Sequence, residues 1–284
     1  MYKIGLSTTG KPFGPQLFES YARAGIWAME LSLGYEGTLQ LDYKAAEKYA
    51  KDSGVKLWSF HLPFKPFDLI DISAFDPELR RKSIEHLSEL MKKAGDIGIT
   101  KFILHSSGIT RNETNLQGRM DCAKESLIPL ADAARQAGGV LCVENLPPIC
   151  LASNSKEVIE LTNVDSRLKV CFDTNHLLSE DPLDFIRALG EKIVSIHVSD
   201  YDFIFERHWL PGEGKIDWQS LYHALQEVGY DGPWLYEVGF VIPKTILRDR
   251  ELNCDDFVRN AREIFENRPL TVIGQPNPEI YLPK

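Results

Sequence analysis

The amino-acid sequence predicts an α/β fold, a single (β/α)8 TIM barrel over residues 1–284, and three observations carry that expectation. Six short apolar runs, 57–61, 102–105, 141–144, 170–173, 194–197 and 234–237, end abruptly in His61, His105, Glu144, Asp173, His197 and Glu237. Near-continuous apolar runs of this length read as strands covered on both faces, the mark of a parallel sheet. Strand-like and helix-like segments alternate from end to end. The run ends recur about every 35 residues, the length of one βα unit. Strict alternation at that length predicts a closed barrel whose active site sits at the C-terminal strand ends. The rival, a doubly wound open sheet, advertises a glycine-rich phosphate turn after its first strand. Here Thr8-Thr9-Gly10-Lys11-Pro12 lacks the G-x-G-x-x-G form.

Ile4–Ser7 reads as the first strand, followed by a helix over Pro15–Ala24 that closes at Gly25. Residues 29–33 form the second strand, and the helix Tyr43–Ser53 is stopped by Gly54. The third strand ends at His61, and a longer loop reaches Pro77. Residues 78–94 then place Leu79, Ile84, Leu87, Leu90 and Met91 at helical spacing. The fourth strand ends at His105. Its helix, 120–136, carries Ala123, Leu127, Leu130, Ala131 and Ala134 and closes at Gly138-Gly139. The fifth strand ends at Glu144, before a short helix over 155–161 with a serine cap. The sixth ends at Asp173, with a helix near Pro182–Leu189. The seventh ends at His197 and leads through a long loop to a helix over 218–228. The eighth ends at Glu237, and a helix over 255–266 closes the series. Residues 267–284 are expected to form a C-terminal extension, packed on the barrel or reaching to another subunit.

With 284 residues, 43% of them hydrophobic, the chain is long enough to bury a full core. A net charge of -9 argues against a broad nucleic-acid surface. No apolar stretch reaches the ~18 residues a membrane span needs. The N-terminus opens on a strand-like segment without a signal core, and the five cysteines show no C-x-x-C pair. Cys142 and Cys171 fall inside strands and read as buried free thiols. A reducing cytoplasm is the expected location.

Glu144, Asp173, His197 and Glu237 end four consecutive strands. Three carboxylates held together would repel unless a cation neutralised them, and no lysine or arginine stands on these strand ends to do so. They are therefore the expected metal ligands. His61 and His105 share the same mouth. His176, three residues after Asp173, and Glu206-Arg207-His208, just before the turn Pro211-Gly212-Glu213-Gly214, sit on loops where substrate or further metal contacts are expected. His86 and His223 lie on helices and read as ordinary packing residues. There is no H-E-x-x-H, no G-x-S-x-G and no P-loop.

Seven segments then resemble the xylose isomerase-like barrel superfamily, in its sugar phosphate isomerase/epimerase group, related to ketose 3-epimerases and endonuclease IV. They are His61-Leu62-Pro63, His105-Ser106-Ser107-Gly108, Val143-Glu144-Asn145, Phe172-Asp173-Thr174-Asn175-His176, His197-Val198-Ser199-Asp200, Arg207-His208 with the following turn, and Tyr236-Glu237-Val238. The resemblance implies a metal-dependent isomerase or epimerase acting through an enediolate on a small polyhydroxylated carbonyl compound. Glu144 and Glu237 would move the proton, and one divalent ion (Mn, Zn, Co or Mg) would sit on Glu144, Asp173, His197 and Glu237. His176 and Arg207 would orient hydroxyls. Two positions depart from the epimerase pattern: Phe203 stands where those enzymes carry an arginine, and Cys150 where they carry a carboxylate. The resemblance to endonuclease IV implies a second arrangement with up to three zinc ions, drawing on His61, His105, Glu144, Asp173, His176, His197, His208 and Glu237, with Glu206 in place of an aspartate. An abasic-site phosphodiesterase and a ketocyclitol dehydratase are thus the alternative activities. A homo-oligomer stays open, with the apolar stretch 240–247 as a lid or subunit contact.

Overall fold

In the computed structural model, which describes residues 1–110 and 112–281, the apolar runs become eight parallel strands. They are β1 (Ile4–Ser7), β2 (Ala28–Leu31), β3 (Lys56–His61), β4 (Lys101–Leu104), β5 (Val140–Glu144), β6 (Lys169–Asp173), β7 (Ile193–His197) and β8 (Trp234–Tyr236). Neighbours in sequence are neighbours in the sheet, with β1 also paired to β8. A bridge between Val198 and Tyr236 closes the ring, where the Val198 N–H donates to Leu235 O at 2.8 Å. The result is the (β/α)8 barrel the alternation predicts.

Helices α1 (Pro15–Ala24), α2 (Gly34–Gln40), α3 (Tyr43–Ser53), α4 (Pro77–Asp96), α5 (Leu116–Gln136), α6 (Ser155–Thr162), α7 (Pro182–Leu189), α8 (Trp218–Glu227) and α9 (Cys254–Phe265) surround it. Their ends follow local chemistry. α1 begins on Pro15, whose missing N–H is no loss at that position, and stops at Gly25 with φ 83°, a left-handed turn that glycine adopts without strain. Asp42 caps α3 by accepting from the Ala45 N–H at 2.9 Å. The cap of α6 is Asn154 rather than a serine, accepting from Glu157 N–H at 3.1 Å. α5 starts at Leu116, earlier than expected, because Asn115 accepts from the Gly118 N–H and supplies a cap inside what reads as a loop. The seven-residue α2 has no signal in the sequence; two of its residues are glycines and no side chain caps it. β2 ends at Leu31, short of residue 33, while β4 and β8 end one residue before His105 and Glu237.

Side chains alternate along each strand. Phe102, Leu141, Val143, Val170 and Phe172 join the large core between strands and helices, whereas Ile103, Cys142 and Cys171 form a separate cluster inside the barrel. The five cysteines are all free, and Cys142 and Cys171 are buried as expected. Among the described residues, no helix is long and apolar enough to cross a membrane.

Beyond the eighth strand, β9 (Ile246–Arg248) and β10 (Gly274–Pro276) make an antiparallel ribbon, followed by α10 (Pro278–Tyr281). Of the expected extension 267–284, Leu270 and Ile273 pack against the core and residues 274–276 pair with β9, whereas Val272 and Ile280 are exposed; residues 282–284 lie outside the described residues. Arg248 anchors it with a fully buried, two-pronged ion pair to Glu213, Nε to Oε1 at 2.8 Å and Nη2 to Oε2 at 2.5 Å. Removing one partner of such a pair leaves an uncompensated buried charge. Arg248→Ala is expected to lower stability by about 3–5 kcal/mol in urea unfolding; a loss below about 1 kcal/mol would show that water enters and screens Glu213.

Candidate metal centre and active site

Strand alternation decides what faces the barrel mouth. Counting inward from Ile103, Cys142 and Cys171 in steps of two leads to His105, Glu144 and Asp173, and the paired register places His197 beside Asp173. Glu144, Asp173 and His197 are fully buried, and Glu237 is 8% exposed. One ligand atom from each of these four lies within 4.8 Å of the others. The four residues expected to share an ion are therefore brought together.

Hydrogen bonds on the far side of each ring decide which nitrogen faces the site. His61 Nδ1 lies 3.0 Å from the Leu62 carbonyl, and His176 Nδ1 lies 2.8 Å from the Asn145 carbonyl; a carbonyl can only accept, so both rings donate from Nδ1. Each Nε2 then points at a carboxylate: His61 at Glu144 Oε2, 3.2 Å away, and His176 at Glu206 Oε1, 3.0 Å away. His197 is turned the other way. Its Nε2 donates to Glu30 Oε2 at 2.9 Å, and its Nδ1 faces Glu144 Oε1 at 2.9 Å, Glu237 Oε2 at 3.4 Å and Asp173 Oδ2 at 3.7 Å. Three ring nitrogens left over after their other N–H is satisfied thus meet carboxylate oxygens. Two acceptors face each other only if a proton or a cation sits between them. Glu144 Oε2, 3.2 Å from the Nε2 of both His61 and His105, and Asp173 Oδ2 are buried without a hydrogen-bond partner. This donor set of imidazoles and carboxylates fits a divalent cation.

In the absence of a cation, protons take that place. Burial opposes a charged His61, but Glu144, Glu30 and Glu237 overcome it and push its pKa up to about 9. Burial likewise opposes charge on His176, and Asp173, Glu206 and Glu144 raise it to about 10. His105 goes the other way, to about 4, because burial outweighs Glu144. Burial disfavours ionisation of both glutamates. His197 and His105 nonetheless hold Glu144 well below the ordinary carboxylate range, whereas Glu237 stays raised, with Asp173 and Glu144 opposing its charge.

Glu30, on β2, is the residue the sequence reading misses. It is fully buried, accepts from Ser59 Oγ at 2.7 Å and holds the back of His197. Carboxylate behind histidine behind metal is the arrangement that fixes a ligand ring's tautomer and direction. Its only trace in the sequence is a carboxylate amid Met29-Glu30-Leu31, inside an apolar run rather than at its end. Lys11 is a second one. Its buried Nζ donates to Ser7 O at 2.8 Å and Val238 O at 2.7 Å, stapling β1 to the residue after Glu237. Burial lowers its pKa to about 7.

A second group forms beside the first: His176, Glu206 and His208, again within 4.8 Å. Asn175 Oδ1 positions this loop by accepting from the Arg207 and His208 N–H groups at 2.9 and 3.1 Å, which holds His208 at φ 50°. Arg207 is not among the residues that line the cavity; its Nε donates to Asp202 Oδ2 at 2.7 Å and its guanidinium lies over Trp209 and Phe205. His61, His105, Glu144, His176, Glu206, His208 and Glu237 line one cavity of about 170 Å³. For scale, a sealed cavity of about 150 Å³ accommodates one benzene, so this space suits a single small molecule.

The xylose isomerase-like TIM barrel family model matches residues 18–249. Fructoselysine 3-epimerase of Escherichia coli O157:H7 is 25% identical over 167 residues, a match that spans 55% of this chain and 59% of that enzyme. D-psicose 3-epimerase of Ruminiclostridium cellulolyticum is 25% identical over 232 residues, 77% of this chain and 76% of that one. Among solved structures, a D-tagatose 3-epimerase-like protein superposes with a TM-score of 0.79 at 20% identity, covering 93% of this chain and 97% of its own.

Proposed function

Because this chain belongs to the xylose isomerase-like TIM barrel family, we propose that it is a divalent-metal-dependent sugar isomerase or epimerase, with residues 1–284 forming one domain. The observation that carries this reading is the convergence of Glu144, Asp173, His197 and Glu237 on one buried point, with three carboxylates around His197 Nδ1 while its Nε2 is turned to Glu30. A cation held by these four supplies positive charge that polarises a carbonyl oxygen and stabilises the charge developing beside it. Glu144 and Glu237 remove and return the proton on the carbon next to that carbonyl, through an enediolate. His176 and His208 orient substrate hydroxyls, and the buried floor keeps water from the reacting carbon. Where a second ion binds, His176 and His208 would hold it with Glu206 instead of orienting hydroxyls. Similarity to sugar epimerases favours proton transfer over hydrolysis of abasic DNA, and an incision assay on an abasic duplex separates the two.

The direct test is wash-in of solvent deuterium at the carbon adjacent to the carbonyl of a panel of keto-sugars. The metal-loaded protein is expected to catalyse exchange, chelation to stop it, and added Mn or Co to restore it. Exchange that survives exhaustive chelation would remove the cation from the proposal. Product analysis then separates epimerisation, isomerisation and loss of water.

Metal loading also has a proton signature. His197, the imidazole among the four, is buried, but Cys171, Glu30, Glu237 and Glu144 overcome burial and hold its pKa well above the ordinary histidine value. An ion that takes its Nδ1 lone pair must displace a proton held there, so apparent affinity rises with pH. Titration calorimetry in buffers of different ionisation enthalpy is expected to read about one proton released on metal loading. Zero release at pH 7.5 would mean that this ring is not a ligand.

A further inference from the structure

The two glutamates proposed to move the proton are held differently. Both oxygens of Glu144 face imidazole rings. Glu237 turns Oε2 toward His197 Nδ1 at 3.4 Å, but its Oε1 accepts from the hydroxyl of Thr9 at 3.3 Å, 228 residues away in the chain. A hydroxyl donates without carrying charge, so this contact does not depend on the protonation of the surrounding rings.

The turn that carries Thr9 is tied down on every side. The Thr8 N–H donates to Glu30 O at 3.0 Å, and Thr8 Oγ1 donates to Ser32 O at 3.0 Å and accepts from the Ser32 N–H at 2.8 Å. Gly10 then takes φ 66°, a left-handed conformation that side chains oppose, and the chain doubles back. This brings the buried ammonium of Lys11 to three carbonyls, Ser7 O at 2.8 Å, Thr9 O at 3.2 Å and Val238 O at 2.7 Å, one for each of its protons. Val238 follows Glu237, so one cation fixes the backbone on both sides of the Thr9–Glu237 contact. Ser7 Oγ lies 3.0 Å from Thr9 Oγ1; with the Ser7 proton turned to Thr9, the Thr9 proton is left for Glu237. A simple staple between β1 and the end of β8 needs Lys11 alone. It gives no reason for a hydroxyl at residue 9 aimed at a buried carboxylate.

The last torsion of a glutamate is soft, and a carboxylate that swings about it loses its aim at a reacting atom. We infer that Thr9 is the positioning residue of Glu237: its hydroxyl holds Oε1, sets the plane of the carboxylate and keeps Oε2 turned to the interior of the site. Thr9 is not among the residues that line the cavity, so it acts through Glu237. The inference rests on the reading of Glu237 as a metal ligand and proton carrier.

Thr9→Val removes the hydroxyl and keeps the shape, whereas Thr9→Ser keeps the hydroxyl. In the cobalt-loaded protein the visible absorption bands report how the ligands meet the ion. Thr9→Val is expected to shift those bands, and Thr9→Ser to restore them. At equal metal content, Thr9→Val is also expected to lower kcat for solvent exchange by at least about tenfold, the effect of losing a hydrogen bond to a charged group. KM is expected to stay within about twofold, because residue 9 does not meet the substrate. Either effect, restored by serine, supports the inference. Bands and rate both unchanged in Thr9→Val overturn it, as does a loss that Thr9→Ser reproduces, which would make residue 9 a matter of packing. Shifted bands in a protein whose parent catalyses no exchange would keep the inference and remove the isomerase proposal. Exchange in the parent that Thr9→Val leaves intact, with unmoved bands, would do the reverse, and a parent that binds no cobalt would remove both.

Discussion

Glu144→Gln and Glu237→Gln are each expected to slow solvent exchange at the substrate carbon by about 10²–10⁴-fold, the usual worth of a positioned acid or base. Both substitutions keep the shape of the side chain and remove its ability to carry a proton away. Glu144 also faces four imidazoles, those of His61, His105, His176 and His197, so its variant is expected to bind metal more weakly, whereas Glu237 faces His197. The exchange assay must therefore be run with metal content measured by elemental analysis, at concentrations that restore full loading. A variant that is loaded yet inactive places the defect in proton transfer. Full exchange in both loaded variants would defeat the assignment of these two residues.

Glu30→Gln is expected to weaken metal binding by about 10- to 100-fold although residue 30 offers the ion no atom. As a carboxylate, Glu30 can only accept, so His197 must donate from Nε2 and present its Nδ1 lone pair to Glu144, Asp173 and Glu237. A glutamine can instead donate its amide N–H to Nε2, which stabilises the opposite tautomer and places a hydrogen on the nitrogen that should bind metal. Competition with a chelating dye gives the affinity. The nitrogen shifts of the His197 ring in NMR give the tautomer, which a merely structural role would not move. Metal affinity within threefold of the parent, with an unchanged His197 spectrum, would show that Glu30 only fills space.

Much of this site was legible because it is local. In β5 and β6, Leu141, Cys142, Val143, Glu144 and Val170, Cys171, Phe172, Asp173 alternate between two faces, and a polar group at the end of such a run marks the mouth of the barrel from sequence alone. Glu30 escaped because its strand continues past it to Leu31, so no run ends there. Arg207 was expected to face the substrate from its place beside His208; its Nε meets Asp202, five residues earlier, and nothing in the spacing announces that contact. α2 was hidden by its glycines, and the start of α5 by a cap that reads as loop.

What the amino-acid order determines unaided is the alternation of strand and helix, hence the barrel, and the ring of histidine and carboxylate side chains at one end of it. Periodicity and burial act over a few neighbouring residues, so they are written in short stretches of chain. Tertiary structure alone decided which nitrogen of each histidine faces inward, that a carboxylate on β2 backs a histidine on β7, and that the turn after β1 meets Glu237 after β8. Glu30 and His197 are 167 residues apart, and only closure of the barrel brings a donor and an acceptor so distant in the chain to within 2.9 Å.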